Sequence, residues 1–176
     1  MRVIAGTLGG RQFRAPKGNH THPMSEKARG GLFNLLGDLS GLRVLDTFSG
    51  SGALAYEAIS RGADEALLIE NDKQAIRAIQ ENIHSLQIEE HCKLIAMGVS
   101  SWAQSNEDMF DIVFADPPYD KLQFSAIAMV ATHVKKQGLL VISVPSATVS
   151  PELDGLTIVE ERRYGDAKLV FYRKID

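Results

Sequence analysis

From residue 42 onward, short apolar runs alternate with stretches in which apolar positions recur at helical spacing. That alternation is the signature of βαβ units around a parallel sheet. Residues 43–48, 66–70, 93–97, 112–115 and 139–144 predict strands. Between them, 53–61 is stopped by Gly62, 73–86 carries Ile76, Ile79, Ile83 and Leu86 on one stripe, and 124–136 ends before Gly138. These three segments predict helices. The tail differs: 156–163 and 168–173, joined across Tyr164-Gly165-Asp166-Ala167, predict two antiparallel strands at the edge of the sheet.

The first 36 residues follow another pattern. Residues 2–5 and 11–15 are short extended segments around Gly6, Gly9 and Gly10, which predicts a hairpin with a flexible turn. Ser25 follows Pro23 as a helix N-cap, and Ala28, Leu32, Leu35 and Leu36 keep helical spacing until Gly37. A composition shift at 37–41 divides the chain into an N-terminal extension, 1–36, and a core, 37–176. The expected fold is α/β: a Rossmann-like, mostly parallel sheet with helices on both faces, preceded by a hairpin and a helix.

Composition agrees with one cytosolic domain. The chain has 176 residues, 44% of them hydrophobic, a size at which roughly 70% of the unfolded surface can be buried without a staple. The single cysteine, Cys92, points to a reducing compartment. No apolar run approaches the roughly 20 residues of a membrane span, and no signal-peptide segment opens the chain. The net charge of −3 argues against a polyanionic partner until it is split by segment. Residues 1–36 hold Arg2, Arg11, Arg14, Lys17, Lys27 and Arg29 against Glu26 alone, a net +5, so the remainder carries −8. A basic extension on an acidic body suits a protein that meets a polyanion at one end.

Val44-Leu45-Asp46-Thr47-Phe48-Ser49-Gly50-Ser51-Gly52-Ala53-Leu54-Ala55 runs from an apolar strand through glycines into a helix. Glycines allow a sharp turn and a close ligand, and the helix offers free N–H groups. Glu70, at the end of the next strand, can accept from two ribose hydroxyls. Gly50-x-Gly52-x-x-Ala55 also satisfies a dinucleotide fingerprint, so a nicotinamide-dependent oxidoreductase is an alternative. Asp46 disfavours it: a carboxylate there repels a pyrophosphate but suits an ammonium and a sulfonium, the charges of S-adenosylmethionine.

Asp116-Pro117-Pro118-Tyr119 closes the fourth parallel strand, so it should face the same crevice as the glycine loop. The prolines fix φ and remove two donors, leaving the Asp116 carboxylate and a rigid carbonyl as convergent acceptors. Two acceptors beside an aromatic ring suit an exocyclic amine: one N–H goes to Asp116, the other to the Pro117 carbonyl, and the lone pair is aimed at a methyl group. Tyr119 can stack on the base, worth about 1–3 kcal/mol, as in flipped-nucleotide pockets.

These motifs resemble the RsmD-like family of class I methyltransferases, which methylate guanine N2 in bacterial 16S ribosomal RNA. The resemblance rests on Arg2-Val3-Ile4-Ala5-Gly6 with Gly10-Arg11, Pro23-Met24-Ser25-Glu26-Lys27-Ala28-Arg29, Leu32-Phe33-Asn34-Leu35-Leu36, Val44-Leu45-Asp46, Gly50-Ser51-Gly52-Ala53-Leu54, Glu57-Ala58, Ser60-Arg61-Gly62-Ala63, Asp116-Pro117-Pro118-Tyr119 and Tyr164-Gly165. It implies seven strands with the last antiparallel, and S-adenosylmethionine held by Asp46, Phe48, Gly50, Gly52, Glu70, Asn71 and Ser100. It implies a catalytic corner of Asp116, Pro117, Pro118 and Tyr119. It also implies contacts to 16S rRNA, or to a small-subunit assembly intermediate, from Arg2, Arg11, Arg14, Lys17, His22, Lys27, Arg29 and Asn34. Two positions depart from the family pattern. His22 precedes Pro23 where arginine is usual, and Ala96-Met97-Gly98-Val99-Ser100 lacks the acid that meets adenine, leaving backbone groups or Ser100 for that role.

Other residues take plainer readings. His20 and His22 have no third ligand at metal spacing, so no metal site is expected. Cys92 and Trp102 are expected in the core, and Glu57 with Arg61 as a surface ion pair. Asn34 is expected to approach the active cleft from the first helix. The expectation is a cytoplasmic monomer. Three functional readings remain open: a guanine-N2 methyltransferase, a nucleic-acid adenine-N6 methyltransferase, and a non-catalytic RNA-binding module.

Overall fold

Ser25 and Gly37 bracket the first helix as the sequence predicts. In a computed structural model of the protein, which describes residues 1–16 and 23–175, α1 spans Glu26–Leu36, with Ser25 Oγ accepting from the Ala28 N–H at 3.1 Å. The remaining elements follow in order: β1 Arg43–Thr47, α2 Ala53–Ser60, β2 Glu65–Glu70, α3 Lys73–Leu86, β3 Cys92–Ala96, α4 Val99–Ser105, β4 Phe110–Ala115, α5 Phe124–Ala131, β5 Val134–Pro145, β6 Leu156–Tyr164 and β7 Ala167–Lys174. The seven strands are ordered β3-β2-β1-β4-β5-β7-β6, parallel from β3 to β5, with β7 antiparallel to both β5 and β6. The order reverses between β1 and β4, and ligands of such sheets bind beyond the strand ends at that point.

Side chains alternate across the strands with a period of two. Val44, Leu68, Ile112, Phe114, Val141, Leu169 and Phe171 face one core together with α1, α2 and α3. Leu45, Leu67, Ile69, Val113, Leu140, Ile142 and Val170 face the other, under α4 and α5. Both faces are buried, which explains why the inner strands read as continuous apolar runs.

Three expectations change. The N-terminal hairpin is reduced to a single bridge, Arg2 with Gln12, and the segment is sewn to the body: Val3 and Phe13 lie in the first core beside Tyr56 and Leu32. The helix expected over 124–136 stops at Ala131. Thr132 Oγ1 donates to the Met129 carbonyl, and buried His133 is held between the Asp108 and Ala103 carbonyls, turning the chain into β5. Helix α4 was not anticipated, because its one large apolar anchor, Trp102, gives no repeating stripe. Trp102 itself is fully buried against His133 and Phe110, and Cys92 is buried, as expected.

Candidate active site

The glycine loop is built around a carboxylate that its own helix needs. Gly52, at the N-cap of α2, has no side chain to satisfy the first-turn amides. Asp46, 1% exposed at the end of β1, takes that role, its Oδ2 accepting from the Ala55 N–H at 3.2 Å. Ser49 Oγ donates to the Asp46 carbonyl, and Thr47 Oγ1 donates to the Phe114 carbonyl, locking the loop to β4. Phe48, Gly50 and Gly52 all have positive φ. A Cβ on Gly52 would run into the Tyr56 phenol, so glycine is required there by both conformation and space.

Glu70 completes the cradle. Its Oε2 accepts from the Gly50 N–H at 2.8 Å, while Oε1 accepts from the Asn71 and Asp72 N–H groups. Asn71 is exposed, and its amide lies beside Gly98, the residue before α4. Ser100 sits half-buried in the first turn of α4, so the predicted cofactor residues from β1, β2 and β3 do converge on one edge.

Burial raises the Asp46 carboxyl well above its ordinary value, and the charges of Asp116 and Glu70 push it further. Three acid groups crowding one crevice make a poor seat for a pyrophosphate, and a bound cation would favour their ionised forms. With its positive φ glycines and its acceptor-rich edge, the site fits S-adenosylmethionine rather than a dinucleotide.

The second motif opens beside it. Asp116 follows directly on β4, and burial pushes its carboxyl up to about 6, opposed by the Ser143 hydroxyl. The Tyr119 phenol meets Ser143 Oγ at 2.9 Å, and burial raises the phenol's pKa as well. The Lys121 N–H donates to the Pro118 carbonyl, whereas no backbone donor reaches the Pro117 carbonyl among the described residues. Asp116 lines a narrow apolar hollow walled by Met24, Leu32, Leu54 and Phe114, and the neighbouring Pro117 carbonyl keeps its acceptor capacity. Sequence reasoning missed Ser143. The available signal was a single hydroxyl inside the apolar run 139–144 of a strand flanking the motif.

The residues expected to grip RNA are placed differently. Arg29 is fully buried: one Nη donates to the Arg2 carbonyl, and Nε lies 3.7 Å from Glu57. Enclosed in the core beside Glu57, it is out of reach of a phosphate. Glu57 is itself fully buried and accepts from the Ile4 and Ala5 N–H groups and from Arg61, so it is the knot that ties down the N-terminal segment, not a surface pair. Arg11 donates to the Ser85 and Leu86 carbonyls at the end of α3, and Arg14 pairs with Glu81. Ser85 lies 12 residues beyond Lys73, about 18 Å down α3 from the cofactor edge. Asn34 accepts from Arg61 at the far end of α2 from the glycine loop, so it faces away from that loop. Arg2 pairs with Glu26 and Lys27 is exposed; Lys17 and His22, like His20, lie outside the described residues.

Comparison with known proteins agrees with this geometry. A family profile described as conserved hypothetical protein 95 matches residues 1–173. The chain is 30% identical to a putative rRNA methyltransferase, YlbH, of Bacillus subtilis, with 99% of each chain covered. It is 28% identical to ribosomal RNA small subunit methyltransferase D of Haemophilus influenzae, covering 98% of this chain and 92% of that one. A solved structure of a putative methyltransferase, yhhF, from Escherichia coli superposes with a TM-score of 0.88 at 26% identity, covering 99% and 98% of the two chains. With the sheet order, the glycine loop and the Asp-Pro-Pro-Tyr corner in place, the chain belongs to the conserved hypothetical protein 95 family, the RsmD-like group of class I methyltransferases.

Proposed function

We propose that the protein transfers a methyl group from S-adenosylmethionine to the exocyclic N2 amine of a guanine in 16S rRNA, free or in a small-subunit assembly intermediate. The observation that carries this reading is the pairing of an elevated Asp116 carboxyl with a Pro117 carbonyl that no backbone donor occupies among the described residues, both on the carboxylate-rich edge. The names of the Bacillus and Haemophilus relatives support RNA as the substrate class.

Asp46 and Glu70 would hold the charged and hydroxylated parts of the cofactor, with Asn71, Ser100 and the loop amides around its base. The bound cofactor supplies an electrophilic methyl group on a sulfonium. Asp116 and the Pro117 carbonyl each accept one N–H of the amine, which keeps its lone pair out of conjugation and directed at that methyl. Hydrogen bonds to a charged acceptor are worth about 1.5–3 kcal/mol each, enough for one to two decades of rate if they strengthen in the transition state. As the N–C bond forms, the sulfonium–methyl bond would break with its electron pair returning to sulfur as a neutral thioether. The amine becomes cationic, and an Asp116 carboxylate with a pKa of about 6 accepts the surplus proton. Tyr119, anchored through Ser143, stacks on the flipped base.

Residues 1–36 in this reading are an extension docked on the 37–176 core that brings α1 beside the catalytic corner, and the protein acts as a cytoplasmic monomer. The test is tritium transfer from labelled cofactor into small-subunit rRNA or particles. Transfer that collapses in Asp116→Ala supports the reading; cofactor binding without transfer to any RNA removes it.

A further inference from the structure

Arg29 is buried, Arg11 is bound to the Ser85 and Leu86 carbonyls, Arg2 and Arg14 are paired at the surface with Glu26 and Glu81, and Arg11 and Arg14 lie far down α3. A polyanion reaching Asp116 therefore needs other cations. Three exposed ones have no side-chain hydrogen bond or ion pair among the described residues and border the catalytic corner. Lys27 follows Met24, which walls the hollow beside Asp116. Lys121 is two residues beyond Tyr119. Arg163 lies level with Val144 of β5, across Lys168, and points to the opposite face of β6 from Tyr164, whose ring packs on Gly31 of α1.

Arg163 also lines an open cleft of about 620 Å³ between the loop after β5 and the β6–β7 hairpin, with Ser146, Thr148, Ser150, Glu161 and Lys168. This cleft lies at the same strand ends as Asp116, on the α4–α5 face of the sheet, around the edge from the hollow on the α1 face. Ala115 pairs with Ile142, so Ser143 is level with Asp116, and Ser146 lies three residues further along, about 10 Å away. Lys168, 5% exposed, shapes the cleft: its ammonium donates to the Thr148 carbonyl and Ser150 Oγ and lies 3.4 Å from Glu161. That pairing neutralises Glu161. Arg163, directly across from Lys168 in the β6–β7 register, gives the cleft its net positive charge. Hydroxyls, backbone groups and a solvated guanidinium suit a phosphodiester, and the trough is too polar for an apolar protein segment.

We propose that this cleft, with Lys121 and Lys27, carries the RNA backbone flanking the target nucleotide, so that substrate enters along the β5–β7–β6 side and not across the N-terminal hairpin. The inference rests on RNA as the substrate. It is tested by binding purified small-subunit rRNA to wild type, Arg163→Glu, Lys121→Glu/Arg163→Glu and Arg14→Glu over a salt series, with S-adenosylhomocysteine binding as the measure of an intact core. Arg163→Glu and Arg14→Glu change the net charge equally.

The expected result is about threefold weaker binding for Arg163→Glu and about tenfold for the double variant. The dependence of log K on log salt should flatten by about one per lost contact, with KM raised and kcat retained at saturating RNA. Arg14→Glu should stay near wild type. Should Arg163→Glu lose cofactor binding, Arg163→Gln gives the same comparison with less perturbation. Unchanged binding in the Arg163 variants, or equal losses in Arg163→Glu and Arg14→Glu, overturns the inference while leaving the methyltransferase reading intact. Failure of wild type to bind any RNA removes both.

Discussion

Tyr119, in the turn after β4, and Ser143, on β5, 24 residues apart, meet hydroxyl to hydroxyl at 2.9 Å. The same serine hydroxyl favours the charged form of Asp116. One side chain on β5 thus sets both the ring expected to stack on the base and the carboxylate expected to hold its amine.

Removing that hydroxyl should affect chemistry more than binding. In Ser143→Ala, Asp116 loses the neighbouring hydroxyl that favours its ionised form, so its pKa rises further. The ionised carboxylate is the active form, and the acid limb of the pH–rate profile should move to higher pH. We expect kcat to fall about tenfold, as for the loss of one hydrogen bond to a charged group. A purely structural serine would lower Tm and leave the limb where it is.

Asp116 should cost stability at neutral pH. Its folded pKa, about 6, lies above the ordinary 3.8, so the folded protein binds a proton that the unfolded chain has released between those values. Stability from this group is therefore greatest below about pH 4 and falls as pH rises through 6. Asp116→Asn should gain up to about 3 kcal/mol at pH 7.5 and nothing at pH 4, while abolishing transfer. Paired thermal melts at the two pH values read this directly, and equal Tm changes at both would refute it.

Glu57→Ala should be severely destabilising. It strands the buried Arg29 guanidinium and the Ile4 and Ala5 N–H groups together. Breaking a buried pair by removing one partner costs about 3–5 kcal/mol. Chemical denaturation should show a lower midpoint, and proteolysis should cut first within residues 1–16. A change below about 1 kcal/mol would mean that the N-terminal segment is not held by this knot.

Gly52→Ala should separate cofactor binding from folding. The methyl group meets the Tyr56 phenol and the backbone is at φ 80°. The strain is about 1–3 kcal/mol and falls on the loop that seats the cofactor. Calorimetry should show S-adenosylhomocysteine affinity reduced at least about tenfold, with the fold retained by circular dichroism.

Most of the core was readable from the sequence because its strands are buried on both faces and its helices carry regular stripes, as in 73–86, which matches α3 end to end. Asp46, Glu70 and Asp116 stood out because each is an acid at the end of an apolar run, although Asp46 and Glu70 also accept from the amides of the turns they border. The N-terminal extension misled for the opposite reason. Charge counting treats an arginine as exposed, yet Arg11 spends its donors on Ser85 and Leu86, and Arg29 is buried between the Arg2 carbonyl and the Glu57 charge, partners that lie tens of residues away or become acceptors only once the chain has folded. Ser143 and Arg163 gain their meaning only from strand register, which no local pattern encodes.

The most direct test of the account is nucleoside analysis of small-subunit rRNA from cells lacking the protein, after incubation with tritiated S-adenosylmethionine and the purified enzyme. The account predicts label in N2-methylguanosine, lost in Asp116→Ala although that variant still binds cofactor. Label in N6-methyladenosine would contradict the guanine assignment, and undiminished transfer by Asp116→Ala would contradict the role given to the Asp-Pro-Pro-Tyr corner.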